Sequence, residues 1–91
     1  MIQEFEVIKV VDLHNNRGQY IFARQVEVGS HFEIKEGSLF GDISISKYLD
    51  MPRILDQNQQ QRSDVFIFRP MEKFPSDHFK EGQLVKLVIP D

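Results

Sequence analysis

The chain has 91 residues, of which 41% are hydrophobic and 27% are charged, and its formal net charge is −3. A chain of this length forms one domain with a small core, and an acidic balance argues against duplex DNA, whose binding needs a concentrated basic face. Because it contains no cysteine, disulfide scaffolds, cysteine-ligated zinc sites and thiol nucleophiles are excluded.

The N-terminal segment, MIQEFEVIKVV, is predicted to supply the first strand, over residues 2–11. It carries Glu4 and Glu6 where a secretory signal would carry lysine or arginine, and it lacks the long apolar core of such a signal. No run approaches the ~20 apolar residues of a membrane span. We therefore expect a soluble, cytoplasmic protein without a membrane partner.

Residues 19–28 alternate between apolar and polar side chains and are predicted to form the second strand, after a turn at Arg17-Gly18. Its apolar face would consist of Tyr20, Phe22, Val26 and Val28. A three-residue turn over 29–31 would pair this strand with residues 32–35, because the alternative two-residue turn would place Phe32 and Ile34 on the polar face.

The middle of the chain contains two further predicted strands. Gly41-Asp42 marks a turn or bulge before a strand that contains Ile43 and Ile45. Residues 53–56 and 64–69 flank a glutamine-rich run at 57–61, and we expect them to form a hairpin with that run as its exposed tip. Apolar residues occur on both sides of 65–68, so this strand needs a second cover, either a loop or a partner.

Residues 70–82 are predicted to be a loop with one helical turn at 75–77, from which Phe74 and Phe79 pack back. Residues 83–89 supply the last strand. Six or seven short strands without a long helix predict an all-β fold, a small antiparallel β-barrel that forms one domain over residues 1–91. The predicted core contains Phe5, Val7, Phe22, Val26, Phe32, Ile34, Ile43, Ile45, Ile67, Leu84 and Val88.

Four short motifs follow one another along the chain: Arg17-Gly18, Val26-Glu27-Val28-Gly29, GDISI at 41–45 and GQLVKL at 82–87. In this order they resemble domain 2 of the translational GTPases, the β-barrel of elongation factor Tu and its relatives. The phosphate-binding motif GxxxxGK[ST] does not occur, so the resemblance implies the barrel alone, without nucleotide hydrolysis. It also implies contact with tRNA or the ribosome.

Three histidines, His14, His31 and His78, lie in predicted turns close to acidic residues. No pair of them has the spacing of a metal site, and no Gly-x-Ser-x-Gly motif marks a nucleophile. We therefore expect no metal, no cofactor and no enzymatic activity, and we predict that the protein acts by binding.

The candidate binding surface combines arginines with aromatic residues, and it consists of Arg17, Arg24, Arg53, Arg69, Tyr48, Phe66 and Phe68. An apolar face at Phe66 and Phe68 favours a protein partner or a second copy of the chain. Arginines beside aromatic rings favour the alternative, single-stranded RNA or tRNA held by stacking and phosphate contacts. Pairing of these arginines with acidic neighbours such as Asp50, Asp56 and Asp64 is the simpler structural explanation.

Overall fold

A computed structural model describes residues 1–13, 18–50, 64–75 and 77–91. Within these ranges there is no helix, and six strands form one closed antiparallel barrel. The strands are β1 (Ile2–Leu13), β2 (Gly18–Gln25), β3 (Leu39–Phe40), β4 (Ile43–Asp50), β5 (Val65–Pro70) and β6 (Leu84–Val88). Their order around the barrel is β1-β2-β5-β4-β3-β6, and the predicted all-β barrel is confirmed.

The barrel closes where β1 meets β6, through the pairs from Ile2 with Val88 to Glu6 with Leu84. Further along, β1 pairs with β2, and the register shifts between Val7 and Lys9. A bulge of this kind inserts one residue and reverses the alternation beyond it. For this reason Val10 packs against the core, on the same side as Val7, which the simple alternation of the sequence did not predict.

The core is largely aromatic. Phe5, Phe40 and Phe68 are fully buried, and the Phe68 ring lies 5.1 Å from Phe5 and 4.9 Å from Phe40 between centroids. Phe74 and Phe79, which follow β5, pack against this cluster, as predicted, and the Phe79 ring lies 5.5 Å from that of Phe40. Aromatic pairs in such edge and tilted arrangements add to the stabilisation from burial.

The buried face of β2 is the opposite of the predicted one. Ile21 and Ala23 are fully buried, whereas Tyr20 and Phe22 lie half-buried on the outside of the barrel. The reason is that the inner face also carries two polar residues, Gln19 and Gln25, whose side chains are buried and hydrogen-bonded. Because of these two polar residues, the alternation in the sequence assigned the inner face to solvent.

The last strand, β6, was also assigned the wrong face. Val85 and Leu87 are buried, while Leu84 is 57% exposed and Val88 is 36% exposed. Apolar residues occupy both faces of this segment, so alternation alone did not separate the inside from the outside. Of the other predicted core residues, Phe5, Val7 and Ile45 are buried, whereas Ile67 is half-buried and pairs with Phe22 on the outer face.

Residues 26–35 form a loop, and the predicted hairpin between 19–28 and 32–35 is wrong. β2 ends at Gln25 and pairs with β1 and β5 instead. The Gln25 side chain holds the loop, since its Nε2 donates to the Ser30 carbonyl at 2.7 Å and its Oε1 accepts the Gly29 N–H at 3.3 Å. Phe32 and Ile34 still pack against the core, which explains their strand-like pattern, whereas Val26 is 40% exposed.

β4 starts at a tight turn and contains a large bulge. Gly41-Asp42 joins β3 to β4 where Phe40 pairs with Ile43, so the predicted turn is confirmed. On its other side β4 pairs with β5, but the register shifts between the pairs of Ile45 with Pro70 and of Leu49 with Phe68. The predicted pairing of 53–56 with 64–69 and the glutamine-rich tip lie outside the described residues.

In the described ranges, no helix is long and apolar enough to span a membrane.

Candidate functional site

The predicted surface residues that the structure describes do not come together. Phe68 is fully buried, and Phe66 is half-buried with its ring 5.9 Å from Phe5 and 5.1 Å from Phe32. Phe66 and Phe68 pair with Ala23 and Ile21, so both face the barrel interior, where the 26–35 loop covers Phe66 through Phe32. The apolar face expected at Phe66 and Phe68 is not an exposed surface, and Arg17 and Arg53 lie outside the described residues.

Arg24 and Arg69 lie on the outer face of strands β2 and β5. Arg24 forms an ion pair with Glu6 across β1 and β2, with Nη2 and Oε1 3.4 Å apart. Such a partly exposed ion pair contributes about 0–1 kcal/mol to stability. For Arg24, pairing with an acidic neighbour is the simpler structural explanation given above for the arginines. The Arg69 guanidinium lies 5.7 Å from the centre of the Tyr20 ring.

A second cation lies over an aromatic ring next to this pair. The β1 bulge places Lys9 opposite Phe22, and the Lys9 Nζ lies 4.7 Å from the centre of that ring. We call Lys9, Tyr20, Phe22 and Arg69 the outer aromatic face. Phe22 was assigned to the core and Tyr20 to the same apolar face of the strand. Lys9 was missed, because only the bulge reveals which side of β1 it occupies.

A groove with a volume of about 340 Å³ opens beside β4, and we call it the β4 groove. Its largest exposed apolar side chains are Tyr48, which is 63% exposed, and Met71, which is 65% exposed. Tyr48 was predicted as part of a binding surface; Met71 was not, although its position directly after Pro70 marks a strand end. The lining residues are Glu36, Gly37, Ser38, Ser44, Ile45, Ser46, Lys47, Tyr48 and Met71.

The short length of β3 leaves this groove open. β3 pairs with β4 only at Ile43 and Ser44, and the Ile45 N–H then donates to the Ser38 carbonyl at 3.1 Å. Beyond Ile45, no strand among the described residues pairs with this edge of β4. An unpaired strand edge presents N–H and C=O groups that another segment is able to use.

The walls of the groove are fixed by hydrogen bonds. The Ser38 hydroxyl donates to the Lys35 carbonyl at 2.7 Å and accepts the Lys35 N–H at 3.2 Å, which closes the turn over 35–38. On the other side, the Met71 N–H donates to the Ser44 carbonyl at 2.8 Å. The backbone around the groove is therefore held in place, while the side chains of Tyr48 and Met71 remain accessible.

Two opposite charges line the groove, Glu36 in the turn over 35–38 and Lys47 in β4. Neither forms an ion pair with another described residue. The Lys47 Nζ lies 5.7 Å from the centre of the Tyr48 ring. Each charge is thus available to a ligand.

A separate polar contact joins His78 to Asp42, with Nε2 and Oδ1 2.7 Å apart. This hydrogen bond lowers the pKa of the Asp42 carboxyl below its ordinary value. In the part of the chain that the structure describes, no group of three histidine or acidic residues is arranged to hold a metal ion. His31 is exposed, and His14 lies outside the described residues.

No protein-family model, no curated protein and no solved structure matches this chain.

Proposed function

We propose that the protein is a stand-alone binding module without enzymatic activity, and that a protein partner binds in the β4 groove. This proposal is supported by one observation: the mostly exposed side chains of Tyr48 and Met71 lie beside the open edge of β4. Aromatic residues and methionine are enriched in the centres of protein interfaces. Burying a side chain of this size contributes about 1.5–3 kcal/mol.

A library of random peptides displayed on phage tests the proposal. We expect peptides to be enriched by the wild-type protein, and we expect Tyr48→Ala to weaken their binding at least about tenfold, which corresponds to about 1.4 kcal/mol. Leu84→Ala is the matched control, because Leu84 is 57% exposed on β6, outside the lining of the groove. Equal binding by wild type and Tyr48→Ala would contradict the proposal.

Self-association is the special case in which the partner is a second copy of the chain. Sedimentation velocity at micromolar concentration distinguishes a dimer from a monomer. We expect any dimer formed through the groove to dissociate in Tyr48→Ser, because that change removes an exposed apolar contact. A dimer that persists in Tyr48→Ser would place the contact elsewhere on the barrel.

The second candidate function is binding of single-stranded RNA or tRNA on the outer aromatic face. Two rings with a cation over each, Phe22 with Lys9 and Tyr20 with Arg69, are the observation that favours it. Bases stack on aromatic rings, and lysine and arginine contact phosphates. The resemblance to the translational GTPase barrel also implies this function, whereas the net charge of −3 opposes it.

Filter binding to mixed-sequence RNA tests this second candidate. Affinity should fall with salt at a logarithmic slope of about −0.7 per phosphate contacted, and Lys9→Ala should weaken it. Lys86→Ala is the control, since Lys86 is an exposed lysine on β6. Absence of binding at low salt and tens of micromolar protein would exclude the RNA candidate.

A further inference from the structure

We infer that the partner enters the β4 groove as an extended segment that adds a strand to the open edge of β4 and places an acidic side chain beside Lys47. This inference rests on the proposed function, since it specifies how a protein partner would occupy the same groove. It requires three properties of the groove: a free strand edge, an apolar contact and a charge that selects the ligand.

The free edge begins where β3 ends. The Ser38 carbonyl accepts the Ile45 N–H, and from Ser46 to Asp50 no described strand lies on that side of β4. Within this stretch the β4 bulge lies between Ile45 and Leu49, and the Tyr48 N–H already donates to the Ser46 hydroxyl at 3.2 Å. At about 3.4 Å per residue, this edge is long enough for a ligand strand of about five residues. Main-chain hydrogen bonds to such an edge give affinity, and pockets for alternate side chains give specificity.

The apolar contact lies beside this edge. Ile45 is buried at the base of the groove, and Tyr48 and Met71 stand exposed around it. Because side chains of an added strand alternate, one apolar residue of the ligand would contact this group and its neighbours would point away. The flexible Met71 side chain adapts to ligands of different shape.

Charge decides between a second copy of the chain and a different ligand. Lysine on a strand edge discourages pairing with an identical edge, and antiparallel pairing of two β4 edges would bring one Lys47 towards the other. An acidic residue at that position is attracted instead, since Lys47 has no acidic partner among the described residues. Glu36 lines the same groove and selects for a basic residue farther along the ligand.

The test uses the peptide most enriched by the wild-type protein, synthesised as a series in which each backbone amide in turn is N-methylated. N-methylation removes one donor and leaves the side chains unchanged. If the peptide adds a strand, affinity falls about tenfold or more at every second position and stays constant between them. Leu84→Ala protein should give the same pattern as wild type.

A charge swap tests the ligand class. Lys47→Glu should weaken binding of the peptide. Replacing the acidic residue of the peptide by lysine should restore binding to that variant. Lys86→Glu, which makes the same change on β6, is the control for a general effect of net charge.

Three outcomes would overturn the inference. If binding depends on Tyr48 but tolerates every N-methylation, the ligand does not add a strand to β4, whereas the proposed protein-binding function is retained. Absence of any peptide whose binding depends on Tyr48 would remove both. RNA binding that depends on Lys9, in a protein that enriches no peptide, would transfer the function to the outer aromatic face.

Discussion

At each end of β2, a glutamine side chain forms hydrogen bonds to a loop backbone like those that a neighbouring strand would form. The Gln19 Nε2 donates to the Phe74 carbonyl at 2.6 Å, and its Oε1 accepts the Phe74 N–H at 2.9 Å. Gln25 makes the corresponding pair of contacts with Ser30 and Gly29. A primary amide provides both a donor and an acceptor, so it satisfies a loop backbone as a neighbouring strand would. The two loops are thereby fixed without further strands.

Replacing Gln19 by leucine tests this role. The change would leave the buried N–H and C=O of Phe74 without partners, and each such group costs about 1–3 kcal/mol. We expect Gln19→Leu to lower the free energy of unfolding by about 2–6 kcal/mol in urea denaturation. Gln83→Leu is the control: its Oε1 accepts the Lys80 N–H at an exposed position, and water replaces it at a cost within about 0.5 kcal/mol. Equal losses would contradict this explanation.

The contact between His78 and Asp42 predicts a small dependence of stability on pH. Because the pKa of Asp42 is lower in the folded chain, the folded state binds fewer protons there. Its contribution is therefore present above the ordinary aspartate pKa and is lost as pH falls through the lowered value. We expect wild type to melt above Asp42→Asn at about pH 5 and this difference to disappear by about pH 2.

The control for this pH effect is the same substitution in a His78→Ala background, where Asp42→Asn should have no effect at either pH. A melting difference that persists at the lowest pH would show that the contact does not act through the charge of Asp42.

At the scale of strands, the periodicity of the sequence predicted where the strands lie more accurately than which face of each strand is buried. β1, β5 and β6 lie within about two residues of the predicted segments, and β2 ends at Gln25 instead of the predicted Val28. The face of β2 was reversed because buried Gln19 and Gln25 resemble solvent-facing residues. The faces of β5 and β6 were reversed because both strands carry apolar residues on both sides. The bulge in β1 has no signal in a run such as EVIKVV, where either register is apolar.

The two faces of β6 give a matched pair of substitutions. Leu87 is fully buried, and Leu87→Ala should cost about 2–5 kcal/mol of unfolding free energy. Leu84 is 57% exposed, and Leu84→Ala should change stability by no more than about 0.5 kcal/mol. Urea denaturation of both variants measures the difference, and a larger loss for Leu84→Ala would restore the face predicted from the sequence.

The candidate site was only partly predictable. Tyr48 was identified, because an aromatic residue at the end of a predicted strand is a recognisable feature. Glu36 and Met71 reach the same groove from distant parts of the chain, through the pairing of β3 with β4 and of β4 with β5. Local patterns do not contain such pairings, and the short length of β3, which leaves the groove open, is set by the whole barrel.

Phe5 is the centre of the aromatic core of the whole molecule. Its ring contacts those of Phe32, Phe40, Phe66 and Phe68, so it joins the barrel interior to the 26–35 loop.

Phe5→Ala should cost about 3–5 kcal/mol. Domains of this length have a total stability of about 5–14 kcal/mol, so a large part of the variant would unfold at mild denaturant concentrations. Phe22→Ala, which truncates a half-buried ring on the outer face, should cost clearly less. Denaturation followed by circular dichroism compares the two; a smaller loss for Phe5→Ala would contradict the assignment of the core.

The seam between β1 and β6 also constrains how the protein folds. Ile2 pairs with Val88 and the N-terminal ammonium donates to the Ile89 carbonyl at 2.9 Å, so the barrel is closed by residues from opposite ends of the chain. Of the six strands, β1 is synthesised first and its partner β6 last. Contacts this distant in sequence slow folding to about milliseconds to seconds. Until β6 arrives, the nascent β1 has one unpaired edge, at which premature association with other chains would begin.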